Sequence, residues 1–384
     1  MFIMKLYIKM LMQHILLPII YRVACIQPIN NTYIIFADSH HSSMPYSMEE
    51  LYKAFQPTDY TIQCMFHDME QNGTCSSLLF MMKFMVRYAR AKHIIICDNF
   101  LPVASCKKRT GTHVTQLWHG AGVLKKFGYD TERDIPKNYL GNVFRNYDLI
   151  TVSSPYCIPF YQSAMKANDG VVQSLGISRS DRYYSQMYIE QCKNEYFQMN
   201  PSHIGKKLLL WAPTFRGNAS SMEPMDLSDM LSLQNKLGSK WIVIMKLHPH
   251  MEKVKEYQQY VSTTLPSERL LPVIDLLVTD YSSILFEYLL LRKPLVLHIP
   301  TFEFEQINNE LYTDLYEIPA MITSTSDELL HAVSDTYCHY NNHPCAEQYE
   351  VQHKDKFDAF QLKYMESCDG HATDRIMEYF LGVT

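Results

Sequence analysis

At 384 residues the chain is longer than one simple hydrophobic core organises, so two domains are expected. Its 47% hydrophobic and 20% charged residues exclude a disordered protein, and a net charge of −5 offers no basic field for nucleic acid. Ten cysteines fall without a CxxC pair or a metal-ligand spacing, the pattern of reduced, mostly buried thiols in a cytoplasmic protein.

Residues 4–24 are strongly apolar, yet Lys5, Lys9 and Gln13 recur every fourth position and share one helical face. Pro18 and Arg22 interrupt the run, leaving no stretch of about 18–20 apolar residues to span a bilayer. A signal peptide competes, but Arg22 stands where a cleavage site before Cys25 wants an apolar residue, and Pro18 breaks the apolar region. The expectation is a helix within 1–28 lying in the membrane interface, its lysines toward headgroups; a core helix of the first domain is the competing reading.

Strand-like runs follow at 33–37, 60–65, 93–97, 114–118 and 149–153, with helical stretches at 48–55 and 76–90. In the second half, strand-like runs at 207–212, 241–247, 275–279 and 295–299 alternate with helices such as 227–237 and 283–291. This alternation predicts an α/β protein with parallel sheets. The segment 174–206, broken by Asn200-Pro201-Ser202, separates a domain at 29–190 from one at 191–370, and a closing helix is expected in 371–384. Two such halves imply a central cleft, with ligands at the C-terminal ends of strands.

Three strand ends carry chemistry. At Trp118-His119-Gly120, a histidine leaves a strand beside a glycine that lets backbone approach a ligand, and Lys125 and Lys126 follow. A neutral imidazole placed so suits a general base; a structural histidine at a turn is the competing reading. At Ala212-Pro213-Thr214-Phe215-Arg216, Thr214 and Arg216 stand where a phosphate partner is wanted. Lys246, His248 and His250 alternate at the end of another strand, suited to stabilising a pyrophosphate. As a metal pair His248 and His250 lack a third ligand with suggestive spacing, and the chain has no Asp-x-Asp, so no metal is predicted and no cofactor is required.

Asp280-Tyr281-Ser282-Ser283 follows an apolar run and precedes a helical one, so small hydroxyl residues open a helix whose free N–H groups suit a phosphate. Ordinary N-capping is the alternative, and Ser282 lacks the glycines of a hydrolase nucleophile elbow. Glu287, one turn on, is placed to reach a ribose hydroxyl or to stay solvated.

These segments, with Lys293-Pro294, Gly176, Arg179, Asp181, Asp369-Gly370 and Arg375, together resemble the CDP-glycerol glycerophosphotransferases of teichoic acid and capsular polymer synthesis. The resemblance runs in order from about Tyr33 to the end of the sequence. It implies a GT-B-like pair of Rossmann-type domains, acceptor-side first and nucleotide-binding second, on the cytoplasmic face of a membrane. It implies transfer of glycerol phosphate from CDP-glycerol to a hydroxyl of a lipid-linked or polymeric saccharide, with release of CMP. His119 and His248 take the positions of the family's two histidines, and Thr214, Arg216, Ser282 and Ser283 positions that hold the pyrophosphate; Lys246, Asp280 and Glu287 are added as donor-binding, and Gly120, Lys125 and Lys126 as supporting residues. The chain departs from the family at 300–306, at Glu310-Leu311 and at Ser39-His40-His41-Ser42, where a glycine is expected. CDP-ribitol as donor, a glycosyltransferase using a CMP- or UDP-sugar, and an inactive membrane-associated scaffold are the alternatives.

Overall fold

The structure, a computed structural model, describes residues 10–132, 134–135, 139, 141–214, 217–218, 221–222, 227–247, 263–300, 307, 309–338 and 345–382. It divides into two compact units. The first comprises Met1–Ala121, Phe127–Asp181 and Glu366–Thr384, and the second Gly122–Lys126 and Arg182–Met365. The chain thus passes from one to the other at Ala121, Lys126, Asp181 and Met365, where the sequence suggested breaks after 190 and 370.

The first unit holds six parallel strands: β1 (Asn30–Asp38), β2 (Thr61–Phe66), β3 (Ala91–Ile96), β4 (His113–Gln116), β5 (Leu149–Thr151) and β6 (Val172–Gln173). Their spatial order is β2-β1-β3-β4-β5-β6. Central strands carry apolar side chains on both faces, so Ile34, Ile35 and Phe36 of β1 and Ile94, Ile95 and Ile96 of β3 are all buried. Helices Glu49–Phe55 and Ala372–Leu381 cover one cluster, with the Phe55 and Phe380 rings 5.3 Å apart. The C-terminal helix is tied in by Asp181, whose carboxylate accepts from the Ala372 and Thr373 amides at 3.0 and 2.7 Å. β4 ends two residues before the expected position because Trp118 takes a left-handed backbone, φ +58°.

A helix does form near the N-terminus: Leu17–Ala24, entered through a wider π-type turn at Met12–Leu16. Gln13, Leu17 and Tyr21 are its buried face. Tyr21 packs 4.9 Å from Tyr88 of the helix Thr74–Tyr88, and Gln13 donates to the Tyr139 hydroxyl. Gln13 therefore does not share a headgroup-facing side, as its spacing suggested: the helix uses that face to dock on its own domain. Lys5 and Lys9 lie outside the described residues. The exposed side carries Leu11, Ile15, Ile19, Val23 and Ile26, each more than half exposed. No helix among the described residues is long and apolar enough to cross a membrane.

The second unit holds β7 (Lys207–Ala212), a short antiparallel hairpin of β8 (Gly217–Asn218) and β9 (Ser221–Met222), then β10 (Trp241–Met245), β11 (Leu276–Thr279), β12 (Leu295–His298) and β13 (Met321–Thr323). Its main sheet is parallel, ordered β10-β7-β11-β12-β13. Helices Ser228–Leu237 and Ser326–Cys338 pack on it around Leu209, Trp211, Val278 and Val296. Lys293 is half-buried, its ammonium donating to the carbonyls of Pro272 and Ile274 at 2.8 and 2.9 Å; desolvation pulls its pKa down to about 8.

Candidate active site

His119 projects from the chain just beyond β4, its side chain 55% exposed, and its Nδ1 lies 3.2 Å from Asp98 Oδ2 at the end of β3. Adjacent parallel strands bring the two together, since Ile96 pairs with Gln116. Burial opposes ionisation of Asp98, but the His119 charge and hydrogen bond outweigh it and hold the carboxyl below its usual range. An ionised carboxylate at Nδ1 orients the ring and leaves Nε2 as the outward atom able to take a proton.

The backbone beneath is held rigidly. Arg179, fully buried, donates to the carbonyls of Trp118 and His119 at 3.2 and 3.1 Å and to Ser47 Oγ at 3.1 Å. Gln116 accepts from the Trp118 amide at 2.9 Å and donates to the Asp98 carbonyl at 2.9 Å. The Trp118 indole stacks on the imidazole, 4.5 Å between centroids and 30° between planes. Gly120 accepts a bond from Tyr161 at 3.5 Å. After β1, the buried Asp38 accepts from the amides of His40 and His41 and from the His41 ring at 2.7, 2.9 and 2.9 Å, organising the loop that lacks the expected glycine. Its carboxyl sits below its usual pKa: burial alone would raise it, and the bonds from His41 and His40 prevail.

In the second unit a corner forms where β7, β10 and β11 end. Asp280, 2% exposed, accepts from the Thr214 amide at 2.9 and 3.0 Å and from the Thr214 hydroxyl, while Thr279 Oγ1 donates to the Ala212 carbonyl. Asp280 therefore sets the corner's shape by clamping two strand ends. Lys246 follows β10, its amide bonded to the Trp211 carbonyl at 3.0 Å. Ser282 is half-buried and Ser283 exposed at the start of the helix Ile284–Leu289, and Ser283 makes no side-chain capping bond. Glu287, on that helix, is buried.

Gly122–Lys126 belongs to this corner. Gly122 has φ +62°, and a Cβ there would stand 2.3–2.5 Å from the Phe286 ring. Leu124 accepts from the Tyr312 amide at 2.9 Å, and the Lys126 amide donates to the Glu310 carbonyl at 2.8 Å. The Lys125 ammonium lies 4.4 Å from the centre of the Tyr281 ring, beside Ser282. Lys126 is exposed and donates to the Asn309 carbonyl at 2.9 Å. Lys125 was paired with His119 from the sequence; the structure sets it against Tyr281.

Thr214, Lys246, Asp280, Ser282, Ser283 and Lys125 are thus gathered in one unit, and His119 with Gly120 in the other. His248 and Arg216 lie outside the described residues, as does 301–306. Asp98 was missed from sequence; its signal was an acid closing the strand next to the histidine's. Among the described residues no three His, Cys, Asp or Glu side chains gather as a metal-binding group.

The model of the family described as CDP-glycerol:poly(glycerophosphate) glycerophosphotransferase matches residues 19–382. A teichoic acid ribitol-phosphate primase of Bacillus spizizenii is 28% identical, the match covering 92% of this chain and 91% of the relative. A teichoic acid poly(ribitol-phosphate) polymerase of the same organism is 26% identical over 93% of this chain but only 57% of its own length. Among solved structures, the wall teichoic acid polymerase TagF superposes with a TM-score of 0.72 at 16% identity, covering 96% of this chain and 93% of the other. That likeness gives the fold, two α/β units of the GT-B-like kind, as expected from sequence.

Proposed function

The chain belongs to the CDP-glycerol:poly(glycerophosphate) glycerophosphotransferase family, and we propose that it transfers a polyol phosphate from a CDP-activated donor to a hydroxyl of a lipid-linked saccharide. The acceptor oxygen attacks the phosphorus that carries the polyol. A new O–P bond forms, the bond to the CMP oxygen breaks, CMP leaves, and the acceptor proton passes to His119 Nε2. Asp98 keeps the ring oriented and balances the imidazolium that results. The corner of Thr214, Lys246, Lys125 and the free helix start at Ser282-Ser283 takes the donor's diphosphate, with Arg216 and His248 assigned to it from sequence. Positioning and fixed positive charge do most of the work in phosphoryl transfer, so no covalent nucleophile is required.

The single observation that supports this most directly is the 3.2 Å His119–Asp98 pair, mounted on a left-handed Trp118 at a strand end. Glycerol is the donor polyol that the family description favours; ribitol is the second reading, favoured by the primase matched along nearly its whole length. The exposed row from Leu11 to Ile26 supports seating on the cytoplasmic face of the membrane, with the apolar side chains, instead of the lysines alone, entering the lipid.

The test is to incubate purified protein with CDP-glycerol, CDP-ribitol and a panel of CMP- and UDP-sugars, following nucleotide release and label transfer to a lipid-linked saccharide. CMP release with transfer of labelled polyol phosphate is the expected result. Transfer of a sugar without its phosphate would replace this reading with a glycosyltransferase.

A further inference from the structure

Among the described residues the two main sheets present four edges, and three of them are short or closed. β6 has two residues and β13 three, and on β10 the outward amide of Val243 donates to Gln234 Oε1 at 2.8 Å. The remaining edge, β2, runs six residues, Thr61 to Phe66, with neither a proline nor a charge to blunt it. The His67 amide donates to the Asp38 carbonyl, which fixes the phase of the β1–β2 ladder. Odd-numbered residues of β2 turn their N–H and C=O groups toward β1, and Ile62, Cys64 and Phe66 turn theirs outward. Among the described residues these outward groups have no partner. Cys64 is exposed, and Ile62 and Phe66 are half-buried against the cluster under the helix Glu49–Phe55. An open hollow of about 480 Å³ adjoins the edge, its lining including Met44, Tyr52, Cys64 and Phe66.

The outward groups are spaced symmetrically about Cys64, and that symmetry points to the partner. A second β2 laid antiparallel sets Cys64 against Cys64 and each Ile62 against the other copy's Phe66. Each of these pairs exchanges two N–H···O bonds at a Cα separation of about 5.5 Å. Side chains of opposed residues share a face, so the second copy's Ile62 meets Phe66 beside the hollow. A β-branched chain against an aromatic ring is a stabilising cross-strand pair. Next to the edge the helix carries Glu49, Glu50 and Lys53, both signs on one surface, which suits an identical surface turned by a two-fold axis. A foreign extended peptide needs none of this symmetry. We infer that the β2 edge is where two copies of this chain join, β2 antiparallel to β2 about an axis at Cys64, so that their six-stranded sheets become continuous.

Sedimentation equilibrium of the full chain tests this pairing. Cys64→Lys and Cys64→Asp each set like charges against one another on the axis, at an exposed position where the fold is expected to melt as wild type. Wild type is expected to dimerise at micromolar concentration and each variant alone to associate about tenfold more weakly. An equimolar mixture of the two variants should recover the dimer, through a Lys–Asp pair across the axis. The amides of Ile62, Cys64 and Phe66 should exchange hydrogen slowly in wild type and quickly in either variant alone. A wild-type chain that sediments as a monomer overturns the inference. Dimerisation that both variants leave unchanged also overturns it, because the contact then lies on another face. A mixture that associates no better than its components removes Cys64 from the axis and overturns it as well.

Discussion

Trp118 holds φ +58°, a backbone state that costs a bulky residue on the order of 1–3 kcal/mol and persists only where its surroundings enforce it. Arg179 and Gln116 do the enforcing, and the result is an imidazole presented outward with its Nδ1 on Asp98. His119→Ala should therefore reduce kcat by at least about 10²-fold while the protein melts as before, since general-base help is worth about 10²–10⁴-fold. Near-normal turnover would remove His119 from the mechanism. Asp98→Asn keeps the shape and loses the charge, and is expected to lower kcat by roughly 10–100-fold with little change in donor KM. The Asp98 carboxyl also reports the pair directly. Burial raises its pKa and His119 more than compensates, so in His119→Ala burial acts with less opposition and the titration midpoint must move upward. Carbon-detected NMR of the Asp98 carboxyl during a pH titration of both proteins measures this, and a downward or absent shift contradicts it.

Parallel strand ends and the segments just after them carry the candidate residues of each unit, and they were only partly legible beforehand. Apolar runs marked every long strand, with β7 at its observed bounds, because central strands buried on both faces leave a continuous signal. The two-residue β6 and three-residue β13 leave none. Nor did adjacency in sequence show that Gly122–Lys126 crosses into the second unit; that depends on a pairing with Glu310, Leu311 and Tyr312, nearly two hundred residues on. Gly122→Ala places a methyl on the Phe286 ring in a backbone region unfavourable to L residues. It should destabilise the second unit by about 2–4 kcal/mol, seen as an earlier calorimetric transition. On β3, His93 is enclosed by Tyr60, His113 and Phe380, its Nδ1 unpartnered. Burial first, then the charges of His113 and Lys92, depress its pKa from 6.5 to about 3. The unfolded chain then takes up the proton before the folded one does, so the stability from a neutral His93 is complete above pH 6.5 and drains away as pH falls toward 3. His93→Leu should flatten the dependence of the urea midpoint on pH across that window; an unaltered slope would assign acid lability elsewhere.

Across the whole molecule, the family and the two-unit α/β architecture were readable from ordered strand-end motifs, whereas the outward direction of the N-terminal helix was not. Spacing placed Gln13 with the lysines, but it lies on the buried face with Leu17 and Tyr21 and donates to the Tyr139 hydroxyl. Removing the residues before Asn30 should abolish sedimentation with liposomes made with anionic lipid, and so should the pair Ile15→Asp and Ile19→Asp, which leaves the docked face untouched. Undiminished sedimentation of the double variant would make the row incidental. The return of Glu366–Thr384 to the first unit bears on how the chain is made. A ribosome finishes β1 to β6 long before it delivers Phe380 and the amides that Asp181 receives; at about 5–20 residues per second, roughly 180 intervening residues take on the order of 10–40 s. For that interval the nascent first unit displays Phe55 and His93 uncovered, which makes it a natural client for a holding chaperone, and a stop codon anywhere in the final helix should act as a folding lesion in the half of the protein translated earliest.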